Sequence, residues 1–425
     1  MRRWAGLKTI ALQTVGCKLN QAETDSLARK FLDAGYHVVS PEAAADIYLL
    51  NTCTVTHIAD YKCRRLLRLA HRTNPDAFIA ATGCYVERAP AELAAIQGVT
   101  LLVGNHEKDR LVELVGDRVN GDGSGLSSSG SQDREPRTRA LVKIQDGCSQ
   151  GCSFCIVPRT RGPERSRPED EIVAEVKSRV AEDCKEVVLT GTRIGRFDVD
   201  GGLRGLIRRI LGESDVKRLR LSSLEPSDIT QELLRLWEDR RLCPHVHMPL
   251  QSGSDPVLER MGRPYSAADY RRAASLAREA IPGLALTTDI MVGFPGESEA
   301  EFKESYDFCR RIGFAAMHVF PYSARPGTGA AEMPDTVGDR ERKQRSLLML
   351  DLARRSALEF RKRFVGDRVE VLWESEKGGV WAGLSENYLR VFALCQAPLC
   401  NRLLAADLVA ARDDGLWGEI HNPEA

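Results

Sequence analysis

The chain has 425 residues, with Lys+Arg and Asp+Glu both 60, 43% hydrophobic residues and 28% charged ones. That composition excludes wholesale disorder and a globally basic nucleic-acid binder, though not a local basic surface. The length allows about two to four domains. No run approaches the ~20 apolar residues of a membrane span. The basic start Met1-Arg2-Arg3-Trp4 lacks a signal peptide's long apolar stretch, so a cytoplasmic chain is expected. Twelve cysteines in such a chain call for metal or redox chemistry rather than disulfides.

Residues 7–120 alternate strand and helix. Strands are expected at 9–15, 46–50 and 77–81, and helices at 21–35, 56–71 and 87–97. That rhythm predicts a small α/β domain with a mostly parallel sheet, at 1–119. The Gly/Ser-rich stretch beginning Asn120-Gly121-Asp122-Gly123 reads as a flexible linker at 120–137. The next unit, 138–364, repeats strand then helix. Its strands are expected at 140–145, 186–190, 218–222, 245–250, 286–291 and 316–320, with helices at 168–183, 203–211, 228–240, 267–280 and 299–312. Ser266 and Ser298 suit N-caps. Six such units predict a partial (β/α)6 barrel with its chemistry at the strands' carboxyl ends. A basic helix over 340–364 follows, with nine Lys/Arg against three Asp/Glu. Alternating Val369, Val371 and Trp373, punctuated by glycines, then predict a small antiparallel β-barrel at 365–425.

Cys148, Cys152 and Cys155 stand in Asp146-Gly147-Cys148-Ser149-Gln150-Gly151-Cys152-Ser153-Phe154-Cys155, just past the first barrel strand. Three converging thiolates can grip one metal centre. A structural zinc needs four ligands, usually from paired knuckles, and no fourth Cys or His follows within 25 residues. Three cysteines on a [4Fe–4S] cluster leave one iron open for a small molecule. A zinc site or buried thiols are the alternatives. This motif on six βα units resembles the radical S-adenosylmethionine (SAM) enzymes. The resemblance implies that the open iron chelates SAM, whose reductive cleavage gives a 5′-deoxyadenosyl radical able to abstract an inert hydrogen.

Cys17, Cys53 and Cys84 each follow a predicted strand and precede a helix. Carboxyl ends of parallel strands share one edge, so the three can meet there as a second open-iron cluster, favoured by the helix N-termini. Three buried cysteines acting as small apolar residues are the alternative. Cys63, Cys184, Cys243, Cys309, Cys395 and Cys400 read as packing.

With both sets in place, the whole chain resembles the methylthiotransferases. Their layout is an N-terminal three-cysteine domain, a radical SAM core and a TRAM β-barrel. The resemblance implies an enzyme with two [4Fe–4S] clusters and SAM, the latter serving as methyl donor and radical source. It also implies a sulfur donor, and an electron donor such as flavodoxin or ferredoxin. Gly16-Cys17-Lys18-Leu19-Asn20 and Val319-Phe320-Pro321-Tyr322-Ser323-Ala324-Arg325-Pro326-Gly327-Thr328 resemble the branch acting on N6-threonylcarbamoyladenosine beside the tRNA anticodon. The branches acting on isopentenyl-adenosine, or on an aspartate of a ribosomal protein, are the rivals. A non-catalytic iron–sulfur redox sensor that binds RNA is a third reading.

Strand-end residues Thr190, Gly191, Ser223, Glu225, Gln251 and Asp289 are the candidates for holding SAM. Arg159, Arg161, Arg165 and Arg167, beside the first cysteine loop, are the leading RNA contacts. Lys62, Arg64, Arg65, Arg68 and Arg72 on the helix after Cys53, and the 340–364 helix, form further basic surfaces. The tail departs from an RNA-binding barrel: 365–425 holds five Lys/Arg against ten Asp/Glu. Trp373, Trp381 and Tyr388 there could stack on bases, although core packing is the commoner role. A monomer is expected.

Overall fold

The computed structural model describes residues 8–120, 138–334 and 336–421. Apart from Asn120, which ends the helix Leu111–Asn120, the expected linker lies outside the described residues. The first unit is an all-parallel sheet of β1 (Thr9–Thr14), β2 (His37–Val39), β3 (Ile47–Thr52), β4 (Phe78–Gly83) and β5 (Val99–Val103), ordered β2-β1-β3-β4-β5. The three expected strands are its centre; β2 and β5 are edges that the sequence reading lacked.

Alternation along β1 explains how both faces are covered. Ile10 and Leu12 pack with Leu27 and Phe31 of α1 (Lys18–Asp33). Ala11 belongs to the opposite cluster, with Cys63 and Leu67 of α2 (His57–Thr73). In this order the winding reverses between β1 and β3, which opens a crevice at their carboxyl ends. The expected helix 87–97 is two short pieces, α3 (Cys84–Arg88) and Pro90–Ala94. The cause is Pro90, which disfavours helical geometry in the residue before it; Ala89 sits at φ −148°, ψ 66°.

The second unit contains β6 (Arg139–Lys143), the short antiparallel pair β7 (Gln145–Asp146) and β8 (Arg165–Ser166), then β9 (Glu186–Thr190), β10 (Arg218–Leu221), β11 (His245–His247), β12 (Ala285–Val292) and β13 (Ala316–Pro321). β6, β9 and β10 pair in parallel, as do β11, β12 and β13. Isolated bridges Leu219–Leu242 and Ser223–His247 join the halves. Among the described residues β6 does not pair with β13, so the six strands form an open partial barrel. Helices Glu169–Ala181, Gly202–Glu213, Ala267–Ala280 and Glu299–Ile312 close its outside, and Ser266 and Ser298 cap the last two. The expected helix 228–240 is instead a short helix, Gln231–Leu234, between two 3-10 turns. There the Trp237 indole donates to the Cys243 carbonyl (2.9 Å), which holds the last turn tight.

β14 (Arg368–Lys377), β15 (Val380–Ser385), β16 (Arg390–Leu394), β17 (Leu403–Ala411) and β18 (Leu416–Ile420) close into a barrel, ordered β14-β15-β16-β18-β17. Trp373 and Trp381 are buried in its core. The barrel docks on the amino ends of the central strands. Arg139 pairs with Glu374 (2.6 Å), Arg218 donates to the Glu370 carbonyl (2.7 Å), and Arg220 to that of Glu386 (3.0 Å). Part of the acidic excess thus faces the core's arginines. Tyr388 points into the same interface, 4.5 Å from the Arg220 guanidinium and 5.3 Å from Lys18 Nζ. It is therefore not placed to stack on a nucleobase.

The linking helix Asp339–Lys362 is basic but largely self-neutralised. Arg345 is buried against Glu297 (2.8 Å), Arg342 meets Asp339, Arg354 and Arg355 share Asp351, and Lys362 meets Glu359.

Candidate active site

The loop after β7 carries Cys148, Cys152 and Cys155. It turns sharply because Gly147 sits at φ +74°, where any Cβ would stand 1.9 Å from the Pro163 carbonyl oxygen. Cys148 N–H donates to Gly162 (2.9 Å) and Cys155 N–H to the Cys152 carbonyl (3.1 Å), which curls the loop around its sulfurs. Two donors aim at those sulfurs. The Gln150 N–H lies 3.4 Å from Cys148 Sγ, and Arg263 Nη1 lies 3.2 Å from Cys152 Sγ. Burial pushes the Cys155 thiol up to about 12, and the neighbouring Cys152 and Cys148 add to the rise. A desolvated thiol of this kind becomes a thiolate readily only when a cation takes its charge.

Cys17, Cys53 and Cys84 come from three strands but one edge. Pairing of Thr14 with Asn51, and of Thr52 with Gly83, ends β1, β3 and β4 at nearly the same level. Cys17 caps α1 and Cys84 opens α3. Gly16 (φ +122°) lets the first turn reach the second: a Cβ there would lie 2.8 Å from Cys53 Cβ. Gly83 (φ +102°) likewise clears the Thr52 carbonyl oxygen. Asn20 donates to the carbonyls of Val15 (2.9 Å) and Thr52 (3.0 Å), binding the two loops together. Burial raises the Cys53 thiol to about 12, and Cys84 and Cys17 add to the rise. Asn105 Nδ2 points at Cys84 Sγ (3.8 Å). Cys63 lies beside Cys53 but is fully buried in the apolar core, its Sγ 3.6 Å from the Cys53 carbonyl oxygen.

Both sets open into one pocket of about 610 Å³, lined by Cys17 and Cys53 from the first unit and by Cys155, Gln251, Asp289 and Phe320 from the second. Each set offers three thiols and at least one hydrogen-bond donor aimed at a sulfur, which suits a cluster with an open iron. Buried charges tie the units together behind the pocket. Arg161 donates to Glu23 (2.9 Å), Asp146 (2.8 Å) and Asn20 Oδ1 (2.6 Å). Burial opposes ionisation of Glu23, yet Lys108, Arg161 and Lys143 hold its carboxyl well below the usual range. A second tie joins Arg325 to Asp60 (2.6 Å).

The residues expected to hold SAM stand at strand carboxyl ends, except Asp289, which lies inside β12, and their roles differ. Gln251 and Asp289 line the pocket. Thr190 is buried, and Gly191 packs so tightly on Gln145 that a Cβ would lie 2.8 Å from its carbonyl oxygen. Ser223 bridges to His247, and Glu225 is paired with Arg263. Three functional candidates escaped the sequence reading. Arg263 links Glu225 to Cys152, and His247 (3.4 Å) and His318 (3.1 Å) flank Asp289. Burial opposes it, but the two histidines keep the Asp289 carboxyl far below the usual carboxylate range.

The RNA contacts expected beside the first loop need correction. Arg161 is buried and fully bonded, so no phosphate can reach it. Arg167 is half-buried, held by the Lys143 carbonyl (2.7 Å) and Glu175 (2.8 Å). Arg159 and Arg165 remain exposed, with Arg165 reaching His106 (3.2 Å).

An open six-strand barrel with C-x3-C-x2-C after its first strand defines a radical SAM enzyme. The profile of the Radical SAM superfamily matches residues 142–309, and that of Uncharacterized protein family UPF0004 matches 9–104. The chain is 37% identical over 407 residues to the Threonylcarbamoyladenosine tRNA methylthiotransferase MtaB of Bacillus subtilis (91% of this chain, 90% of the relative). It is 35% identical over 437 residues to the tRNA-2-methylthio-N(6)-dimethylallyladenosine synthase of Moorella thermoacetica (97% and 98%). Among solved structures, the radical SAM methyltransferase TsrM of Kitasatospora setae shares the fold at TM-score 0.56 and 14% identity, over 88% of this chain and 77% of that one. The chain belongs to the radical SAM methylthiotransferases. It is a transferase whose cofactors are SAM and two [4Fe–4S] clusters.

Proposed function

We propose that this enzyme inserts sulfur and a methyl group at C2 of N6-threonylcarbamoyladenosine at position 37 of tRNA. The observation that carries the reading is the single pocket onto which both cysteine sets open. Cys148, Cys152 and Cys155 hold the SAM-binding cluster and Cys17, Cys53 and Cys84 the auxiliary one. Bound there, SAM and the clusters supply hydrogen abstraction, methyl and sulfur. The chain's own residues set the geometry. Arg263 orients the Cys152 sulfur, Asn20 and Gly16 bring Cys17 to Cys53, and Arg161 fixes one set against the other. Gln251 and Asp289 face the shared pocket, where substrate and SAM would meet. Residues 1–119, 138–364 and 365–425 are read as the auxiliary-cluster, radical SAM and TRAM-like domains.

The threonylcarbamoyl branch is supported by Gly16-Cys17-Lys18-Leu19-Asn20 and by the Bacillus subtilis relative. The dimethylallyladenosine relative is nearly as similar, so the decisive test is chemical. Mass spectrometry of tRNA nucleosides from cells with and without the gene should show loss of the methylthio form of threonylcarbamoyladenosine. Loss of methylthio-isopentenyl-adenosine instead would move the enzyme to the neighbouring branch. Intact tRNA with an altered ribosomal protein would overturn the RNA reading. Among the described residues no helix is long and apolar enough to cross a membrane. A small electron carrier and a sulfur donor complete the reaction.

A further inference from the structure

α2 begins at the pocket and runs away from it. Thr56, Ile58, Ala59 and Lys62 line the pocket wall. At 100° per residue, Ile58, Tyr61, Lys62, Arg65, Arg68 and Arg72 fall on one stripe about a third of the helix circumference wide. Every one of them is exposed, while Asp60, Cys63 and Leu67 on the opposite side are buried. Lys62, Arg65, Arg68 and Arg72 make no ion pair or side-chain hydrogen bond with any described residue. The contrast with Asp339–Lys362 is direct, since most arginines there are held by neighbouring carboxylates. α2 contains a single acid, Asp60, and that one is buried against Arg325 and Arg88.

The apolar members of the stripe are unusual too. Ile58 is 66% exposed and Tyr61 59%, with Val55 and Phe320 exposed at the pocket mouth. Single exposed apolar residues need no explanation, but here they interleave with unpaired cations beside a pocket built for chemistry. Cations spaced over ~15 Å of helix suit a phosphate backbone, and a flat aromatic and aliphatic rim suits unstacked bases. An acidic protein could also meet the cations, but the rim next to the pocket favours a ligand that presents bases there.

We propose that α2 is the RNA track of this enzyme: Lys62, Arg65, Arg68 and Arg72 take backbone phosphates leading to the pocket, and Tyr61 with Ile58 takes a loop base beside the nucleotide being modified. The assignment rests on the tRNA reading above. It reassigns the main phosphate contact from the Arg159–Arg167 segment, where Arg161 is buried, to a helix of the auxiliary-cluster domain.

The test is fluorescence anisotropy of a labelled anticodon stem-loop RNA with the full, anaerobically reconstituted enzyme. The triple variant Arg65→Gln/Arg68→Gln/Arg72→Gln, none of which lines the pocket, should bind about tenfold or more weakly, and its log K against log salt slope should fall by about 2 to 3. Arg354→Gln/Arg355→Gln, on equally exposed but paired arginines, should bind like the unmodified enzyme. Tyr61→Ala should weaken the stem-loop but not a blunt duplex of the same stem. Unchanged iron content and unchanged RNA-independent SAM cleavage guard against misfolding. Equal affinity and equal salt slope for the triple variant would overturn the track while leaving the tRNA reading standing. Absence of RNA binding by the unmodified enzyme would overturn both. Normal RNA binding with slowed reduction by an acidic flavodoxin-type carrier would give the face to the electron donor and overturn the track.

Discussion

The two cysteine cradles reach the same end by opposite routes. Cys148, Cys152 and Cys155 lie within eight residues of one loop, whereas Cys17 and Cys84 are 67 positions apart. The first cradle is a local object, made by a turn at Gly147 and short backbone hydrogen bonds. The second exists only because three strands end level and two glycines allow their turns to touch. Local cradles answer to turn chemistry, and distributed ones to sheet register and packing. The two should therefore fail separately, and under different insults.

The sharpest separation comes from the candidate ligand cysteines themselves. Cys155→Ala should abolish SAM cleavage to 5′-deoxyadenosine and leave about four of about eight irons. Cys53→Ala should lose a similar share of iron yet still cleave SAM. If Cys53→Ala also abolished cleavage, the two cradles would not be independent centres. Next in size is the tie between them. Arg161→Met leaves Glu23 and Asp146 short of a buried cation, and should cost about 3–5 kcal/mol in denaturant unfolding. An effect below ~1 kcal/mol would mean that the buried ion cluster does not hold the units together.

The glycines then probe each cradle alone. Gly16→Ala at φ +122° should cost about 1–3 kcal/mol and lower auxiliary-cluster occupancy, read by iron content and by the electron paramagnetic resonance signal of the remaining cluster. Gly147→Ala should do the converse and take SAM cleavage with it. The smallest change is Tyr388→Phe. It removes one hydrogen bond from Arg139 (3.3 Å) but keeps the ring over Arg220, so a thermal melt should register ~1 kcal/mol or less.

Much of this was legible along the chain. Strand-end placement of all six candidate cluster cysteines followed from the alternation of apolar runs and helical patterns, and the three-part layout from changes in that rhythm. What escaped was whatever depends on pairing across distance. β2 carries only half-buried residues, too weak a pattern to mark a strand. The pattern over 87–97 reads as one helix, but Pro90 breaks it at Ala89. Arg161 looked like its surface neighbours, since nothing local reveals that Glu23 and Asp146 will converge on it. His247 and His318 are 71 positions apart and gain meaning only when β11, β12 and β13 lie side by side.

The guanidinium of Arg161 touches α1 on one side and the residue before Gly147 on the other. A motion that parted the two cradles would have to break its bonds to Glu23 and Asn20 together. The spacing of the two cradles is thus held by the chain's own buried charges, as a spacer block holds two plates.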